Sequence, residues 1–237
     1  DGGAYDYNNT FMGPIPNGGT EAVIVPFGDN DLTLHHCKNK YNVFTTSGGV
    51  ASSVCLYKTV VDMNSYSVST VIMDVVSTST AASEFGAIAV SKPNPSNVRY
   101  LYFLAGSGYA TTNGGIIKKW NVNQDGSVSV PAYPFNPILF PQSSNPISNA
   151  GEIIFARELD ISPDGKYLAW GSFHPSSAVT PRYHLIELNT DGDFNTSIPY
   201  ADAYHEFNIA AATSEPTNSG FRGVEFYKNT APNIYRL

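Results

Sequence analysis

Short segments in which apolar and polar residues alternate recur along the whole chain. Alternation with a period of two is typical of β-strands with one buried face, and no segment shows convincing helical periodicity. Asp-Gly pairs at 125–126, 164–165 and 191–192 indicate hairpin turns between such segments, because both residue types accept the positive φ that tight turns need. The pattern predicts strands at 20–26, 31–37, 42–46, 53–61, 67–76, 86–91, 99–105, 115–122, 127–130, 156–162, 167–172, 183–189, 222–227 and 233–237.

These segments also repeat. The stretch 116–130 (IIKKWNVNQDGSVSV) aligns with 183–197 (YHLIELNTDGDFNTS), and its Asn-x-Asp-Gly turn recurs at an offset of 66 residues. The stretch 89–107 aligns with 160–172, where Tyr100-Leu matches Tyr167-Leu at an offset of 67. A third copy begins at Gly223. Repeats of four short strands joined by hairpins are typical of β-propeller blades.

We therefore predict an all-β chain built as a β-propeller of four-stranded antiparallel blades. After an N-terminal extension over 1–19, the blades span about 20–80, 85–150 and 155–215, and a partial blade spans 221–237. A closed propeller has roughly four to eight blades. With about three and a half blades, we expect this chain to be part of a larger ring, completed by the remainder of its own polypeptide or by another copy.

Composition narrows the class of protein. Only 14% of the residues are charged and the net charge is -7, which argues against binding nucleic acid through phosphate contacts. No apolar run of 18 residues occurs, so we expect no transmembrane segment. Ser, Thr, Asn and Gly make up 82 of the 237 residues. Polar but weakly charged chains of this kind are common among secreted β-proteins, so we expect an extracellular or outer cell-surface location.

Several motifs resemble those of one family. Residues 20–24 (TEAVI), 35–39 (HHCKN), 159–169 (LDISPDGKYLA) and 223–226 (GVEF) are similar to blade motifs of Bacteroidota cell-surface or secreted proteins. Those proteins carry an N-terminal propeller, adhesive modules and a C-terminal type IX secretion signal. The resemblance covers about 20–237 as scattered short motifs. It implies secretion across the outer membrane and binding of a protein or glycan at the cell surface.

Two turns resemble the start of a calcium-binding loop. In the second, oxygen-bearing side chains stand at Asn189, Asp191, Asp193 and Asn195, and we name these four residues as a calcium candidate. Neither loop has an acidic residue at its twelfth position. Both lie at the hairpin of the repeat, where Asn and Asp-Gly also serve the turn itself. Turn chemistry is the alternative explanation, and no other cofactor is expected.

The two cysteines, Cys37 and Cys55, have no neighbours at zinc-ligand spacing. In an exported protein a disulfide between them is possible, closing a loop of about 18 residues; two buried free thiols are the alternative. His35 and Cys37 are two residues apart and share one face of a strand, but no third metal ligand is evident.

No catalytic motif stands out, so we expect a non-enzymatic surface propeller that acts as a binding, adhesion or assembly module. Glu158, Asp160 and Glu225 lie on predicted innermost strands. They either face a central channel, as paired carboxylates of a glycosidase would, or hydrogen-bond neighbouring blades. A carbohydrate-active propeller, either a lectin or a glycosidase, and a subunit of an extracellular filament therefore remain as alternatives.

Overall fold

Strands dominate the regular structure of the computed structural model. It describes residues 3–5, 8–16, 22–27, 39–50, 53–77, 86–105, 116–129, 138–139, 159–172, 182–194, 204–208, 226–228 and 235–236. Neither an α-helix nor a 3₁₀-helix occurs among these residues, and hence none that could cross a membrane. The all-β prediction is confirmed.

The strands form three larger sheets between two hairpins, and all pairs are antiparallel. The N-terminal hairpin comprises β1 (Gly3–Tyr5) and β2 (Phe11–Pro14). The first sheet comprises β3 (Ala22–Phe27), β4 (Lys40–Val50), β5 (Ser53–Asp62) and β6 (Ser67–Ser77). The second sheet comprises β7 (Gly86–Val90), β8 (Arg99–Ala105), β9 (Ile116–Val122), β10 (Val128–Ser129) and β11 (Ile138–Leu139). The third sheet comprises β12 (Leu159–Ile161), β13 (Tyr167–Ser172), β14 (Arg182–Glu187) and β15 (Tyr204–Asn208). The C-terminal hairpin comprises β16 (Tyr227–Lys228) and β17 (Tyr235–Arg236).

Each larger sheet follows the order of the chain, with every strand beside the next, except that β10 and β11 both pair with β9 at different positions along it. The predicted antiparallel four-stranded units are therefore confirmed. The predicted strand at 31–37 lies outside the described residues. The closed ring of a propeller is not seen within the described part of the chain, where the sheets form an open stack.

The second sheet lies between the other two and is buried on both faces. Along β8 the side chains alternate. Leu101 and Phe103 pack against the first sheet, in a cluster with Phe44 and Leu56. Tyr102 and Leu104 point the other way and join a cluster that belongs to the third sheet, with Leu159, Leu168, Trp170 and Ile186. This double burial explains why β8 is an almost continuous apolar run instead of a strict alternation.

The first strand of the second sheet comes close to both of its neighbours. Strand β7 contacts β12 on one side and β3 and β4 on the other. Its residues Ala87, Ile88 and Ala89 are buried. Small side chains at 87 and 89 therefore bring the third sheet near, and Ile88 fills the space toward the first sheet.

The structure also confirms that the repeated segments are equivalent in three dimensions. Ser91 and Ser162 each follow the first strand of a sheet, and their hydroxyl oxygens accept hydrogen bonds from the backbone amides of Tyr100 (2.8 Å) and Tyr167 (2.9 Å). These tyrosines are the pair that the sequence aligns at an offset of 67. The same local contact thus starts the second strand in both sheets.

Among the described residues, three turn glycines have positive φ: Gly126 (81°), Gly165 (75°) and Gly192 (68°). Their surroundings differ. A Cβ atom at Gly126 would overlap the ring of Phe27, and one at Gly192 would overlap the ring of Tyr100. A Cβ atom at Gly165 would meet nothing within 4 Å. Conformation alone requires glycine at 165, whereas conformation and packing both require it at 126 and 192.

Alanine substitutions should separate these two requirements. We expect Gly165→Ala to lower the free energy of unfolding by about 1–2 kcal/mol, which is the cost of the left-handed conformation. Gly126→Ala and Gly192→Ala should each cost about 3 kcal/mol or more, because overpacking against an aromatic ring adds to that cost. Urea unfolding measures the three free energies of unfolding. Equal losses at all three positions would contradict a contribution from the aromatic rings that pack against Gly126 and Gly192.

Candidate functional site

The two Asp-Gly turns that precede the outer strands have the same internal structure. The amide of Gly126 donates to the carbonyl of Asn123, and that of Gly192 donates to the carbonyl of Asn189, each at 3.0 Å. In the first turn the carboxylate of Asp125 accepts from the amide (2.8 Å) and hydroxyl (2.6 Å) of Ser127. These bonds lower the pKa of Asp125. These internal hydrogen bonds fix the shape of the turns, and the glycine carbonyls accept from donors of another sheet.

The first turn, at 123–126, binds to the first sheet. The carbonyl of Gly126 accepts hydrogen bonds from the amide group of Asn42 on β4 (3.0 Å) and from the ammonium of Lys58 on β5 (2.8 Å). The ring of Phe27 packs against the same glycine. Burial lowers the pKa of Lys58, and the nearby carboxylate of Asp125 opposes that shift. One backbone oxygen is thus held by two donors of the neighbouring sheet.

The second turn, at 189–193, binds to the second sheet in a similar way. The carbonyl of Gly192 accepts from the hydroxyl of Tyr102 on β8 (2.6 Å). The ammonium of Lys119 on β9 donates to the carbonyl of Asp191 (2.6 Å) and to the carboxylate of Asp193. It also lies 4.5 Å from the centre of the Tyr100 ring, a cation–π contact. Burial raises the pKa of Tyr102, so its hydroxyl remains a neutral donor.

We call this arrangement the turn latch. It consists of an Asp-Gly turn in one sheet and, in the preceding sheet, a lysine from the third strand, a polar donor from the second strand and an aromatic ring. The latch joins the first sheet to the second and the second to the third. Two further contacts support the first junction: the hydroxyl of Thr46 donates to the carbonyl of Gly86 (3.0 Å), and Lys118 pairs with Asp74 (2.7 Å).

Beyond the third sheet the contact is different. The carboxylate of Asp160 accepts a hydrogen bond from the backbone amide of Phe226 (2.6 Å). The Phe226 side chain packs on Ala169, with Tyr167 and Leu185 beside it. Asp160 therefore binds the backbone of the segment that follows the third sheet. This agrees with the alternative in which the carboxylate forms a hydrogen bond to a neighbouring unit instead of facing a channel. Glu158 and Glu225 lie outside the described residues.

The structure describes three of the four residues of the calcium candidate, Asn189, Asp191 and Asp193. Asn189 uses its side-chain oxygen for the backbone amides of Asp191 (2.9 Å) and Asp193 (3.0 Å), as a turn residue does. Asp193 pairs with Lys119, and Asn195 lies outside the described residues. Among the described residues, no three His, Cys, Asp or Glu side chains form a possible metal site. The Lys119 ammonium therefore supplies the positive charge beside this turn, and it would repel a calcium ion bound there.

The cysteine and histidine candidates have separate outcomes. Cys55 lies on β5 as a buried free thiol, so the possible disulfide gains no support. Its suggested partner Cys37 lies outside the described residues, as does His35. His184 is buried, and its ring stacks on that of Trp170 with centroids 5.1 Å apart. It thus packs in the apolar interface between the second and third sheets.

The residues that receive the turns were not singled out from the sequence. Asn42, Lys58, Tyr102 and Lys119 lie 68 to 90 residues from the turn residues they bind. One pattern does point to two of the lysines that bind between sheets: Lys118 and Lys119 interrupt an otherwise apolar strand. Neighbouring residues of a strand point to opposite faces, so two lysines in a strand buried on both sides indicate a charged partner on each side.

Comparison with known proteins gave no match: no family model, no curated protein and no solved structure shows significant similarity to the chain.

The two adjacent lysines of β9 allow a direct test of the turn latch. The side chain of Lys119 is only 3% exposed, and its removal leaves the carbonyl of Asp191 without this donor. We expect Lys119→Ala to lower the free energy of unfolding by about 2–4 kcal/mol. Lys118→Ala, the matched control, removes a more exposed ion pair and should cost less than about 1 kcal/mol.

Urea unfolding at neutral pH measures both losses. A double-mutant cycle between Lys119→Ala and Asp193→Ala then separates the ion pair from the bond to the Asp191 carbonyl. Equal losses for the two lysine variants would show that the latch contributes no more than a surface ion pair.

Proposed function

We propose that the three larger sheets are consecutive blades of a β-propeller, and that this propeller is a non-enzymatic binding, adhesion or assembly module outside the cell. The turn latch is the observation on which the propeller rests. It occurs at both junctions between the larger sheets, each time with a lysine and a second polar donor, and both times it runs from a later sheet to the one before it. A contact between sheets that repeats in one direction, as the turn latch does, is what a series of similar blades requires.

Register within the sheets supports a further blade before the first sheet. Ile24, Ile88 and Leu159 occupy equivalent positions in the first strands of their sheets. Their cross-strand partners are Val43, Phe103 and Trp170, respectively. Each partner directly follows a second-strand residue that faces the next sheet. Ile88 is 0% exposed and Leu159 is 2% exposed, both against the preceding sheet. Ile24 is 63% exposed. Its position in the repeat is one that a preceding blade covers.

The contact beyond the third sheet supports continuation in the other direction. Asp160 and the apolar group around Ala169 bind Phe226 on the face that points away from the second sheet. The C-terminal hairpin follows directly. We therefore assign β16 and β17 to the start of a fourth blade, in line with the expectation of a ring larger than this chain.

The resemblance to Bacteroidota surface propellers and the low content of charged residues (14%) favour an extracellular location. The resemblance also favours type IX secretion as the export route. The carboxylate of Asp160, one of those considered for sugar hydrolysis, accepts from backbone amides of Ile161 and Phe226. This structural use favours a binding module over a glycosidase, and a protein or glycan at the cell surface is the partner we propose.

The ring proposal predicts that Ile24 is covered in the native protein. We expect a cysteine introduced by Ile24→Cys to react fully with a maleimide in the 237-residue chain and to be protected in the protein isolated from its source. Gln124→Cys, in an exposed turn, is the control and should react in both. Labelling of Cys37 and Cys55 in the parent chain is subtracted. An intact native mass near 25.6 kDa together with a reactive Ile24→Cys would refute the larger ring.

The binding proposal predicts that the protein binds a surface component and does not hydrolyse it. On a panel of immobilised glycans and extracellular-matrix proteins, we expect saturable binding of the purified protein to at least one component. We expect no release of reducing sugar from the same glycans. Release of sugar that is lost in Asp160→Asn, with an unchanged far-ultraviolet circular dichroism spectrum, would instead favour the glycosidase. Failure to bind any component would count against a binding module.

A further inference from the structure

The outer strand of the first sheet is long and continuous. Strand β6 runs without interruption from Ser67 to Ser77 and pairs with β5 along its length, with one register shift. Its other edge therefore presents a row of backbone donors and acceptors over 11 residues. A long exposed edge of this kind is a template for pairing with another chain.

The edge of β6 is also apolar on both sides. Val71 is 56% exposed and lies on the side of Lys58, its cross-strand partner, which faces the second sheet. Ile72 (60%) and Val75 (51%) are exposed on the opposite side. The only charged residue of the strand, Asp74, is already paired with Lys118. The strand therefore offers its backbone edge beside exposed apolar side chains, with no unpaired charge.

Nothing in the described part of the chain pairs with this edge. Strand β2 contacts β6, but it pairs only with β1. Its contact is with a side chain on one face of the sheet, where Gly13 lies against Val68. The N-terminal hairpin thus covers part of a face, and within the described residues no strand pairs with the backbone groups of the edge.

We propose that β6 pairs antiparallel with β6 of a second copy of this chain, which joins two first sheets into one continuous sheet. The single carboxylate of the strand, that of Asp74, is already paired with Lys118, so the strand does not repel a second copy of itself. A two-fold contact also satisfies both edges at once in a closed dimer. A partner strand rich in charge would have to place those charges beside Val71 and Ile72, at a cost in desolvation. This inference is independent of the propeller, because it concerns the outer edge of one sheet.

Light scattering coupled to size exclusion tests the proposal on the full chain. The parent protein should be a dimer that dissociates on dilution. Ile72→Lys should weaken the dimer at least tenfold, because an edge lysine opposes strand pairing. Phe11→Lys is the matched control: its side chain is equally exposed (57%) but lies on β2, so the dimer should be unchanged.

Hydrogen exchange adds a measurement that does not depend on a substitution. Backbone amides of β6 should be more protected at concentrations where the dimer forms than where the monomer does, and those of β10 should not change. A parent protein that stays monomeric at all concentrations would overturn the proposal. So would a dimer that Ile72→Lys leaves intact, or an open-ended series of larger oligomers.

Discussion

The carbonyls of Gly126 and Gly192 impose the constraint around which the three sheets are arranged. Both lie at interfaces between sheets, where an unsatisfied carbonyl would cost free energy. The donors come from the preceding sheet, as an amide and an ammonium in one case and a hydroxyl in the other. The glycine is needed because an aromatic ring lies against its Cα atom. Hydrogen bonding and close packing therefore act at the same residue, and together they set how each sheet meets the one before it.

Strand β9 shows how one sheet can be bound on both faces. Lys118 points toward the first sheet and pairs with Asp74, whereas Lys119 points toward the third and binds the turn at 189–193. On either side of the two lysines the strand has apolar residues, Ile117 and Trp120, that enter the two clusters. Each face thus combines apolar burial, which is not directional, with one directional ion pair. The apolar contacts hold the sheets together, and the lysines select a particular alignment.

The sequence predicts the local structure well, because alternation and turn chemistry act over a few residues. The strands predicted at 86–91, 99–105 and 167–172 correspond to β7, β8 and β13. The alignment of Tyr100 with Tyr167 has a structural counterpart, because the backbone amide of each donates to the serine that follows the first strand of its sheet. The role of the turn at 189–193 could not be predicted in the same way. An oxygen-rich turn attracts a cation, but only the fold shows that the cation is Lys119, an ammonium some 70 residues earlier in the chain. Likewise, Ile24 and Ile88 are the same residue type in similar strands, and only the stacking of the sheets makes one exposed and the other buried.

The first sheet departs from the repeat at one position, and this affects how the proposed ring would close. Its turn between the third and fourth strands has Tyr66, with a φ of 50°, at the positive-φ position where the other two sheets have Gly126 and Gly192. In those sheets a Cβ atom would overlap the ring of the receiving sheet. A blade placed before the first sheet could therefore not receive the Tyr66 turn in a latch of the same form. Its contact would rest on apolar side chains such as Ile24, without the lysine that aligns the two junctions between the larger sheets. In a ring built from these blades, the junction before the first sheet would therefore open more easily than these two.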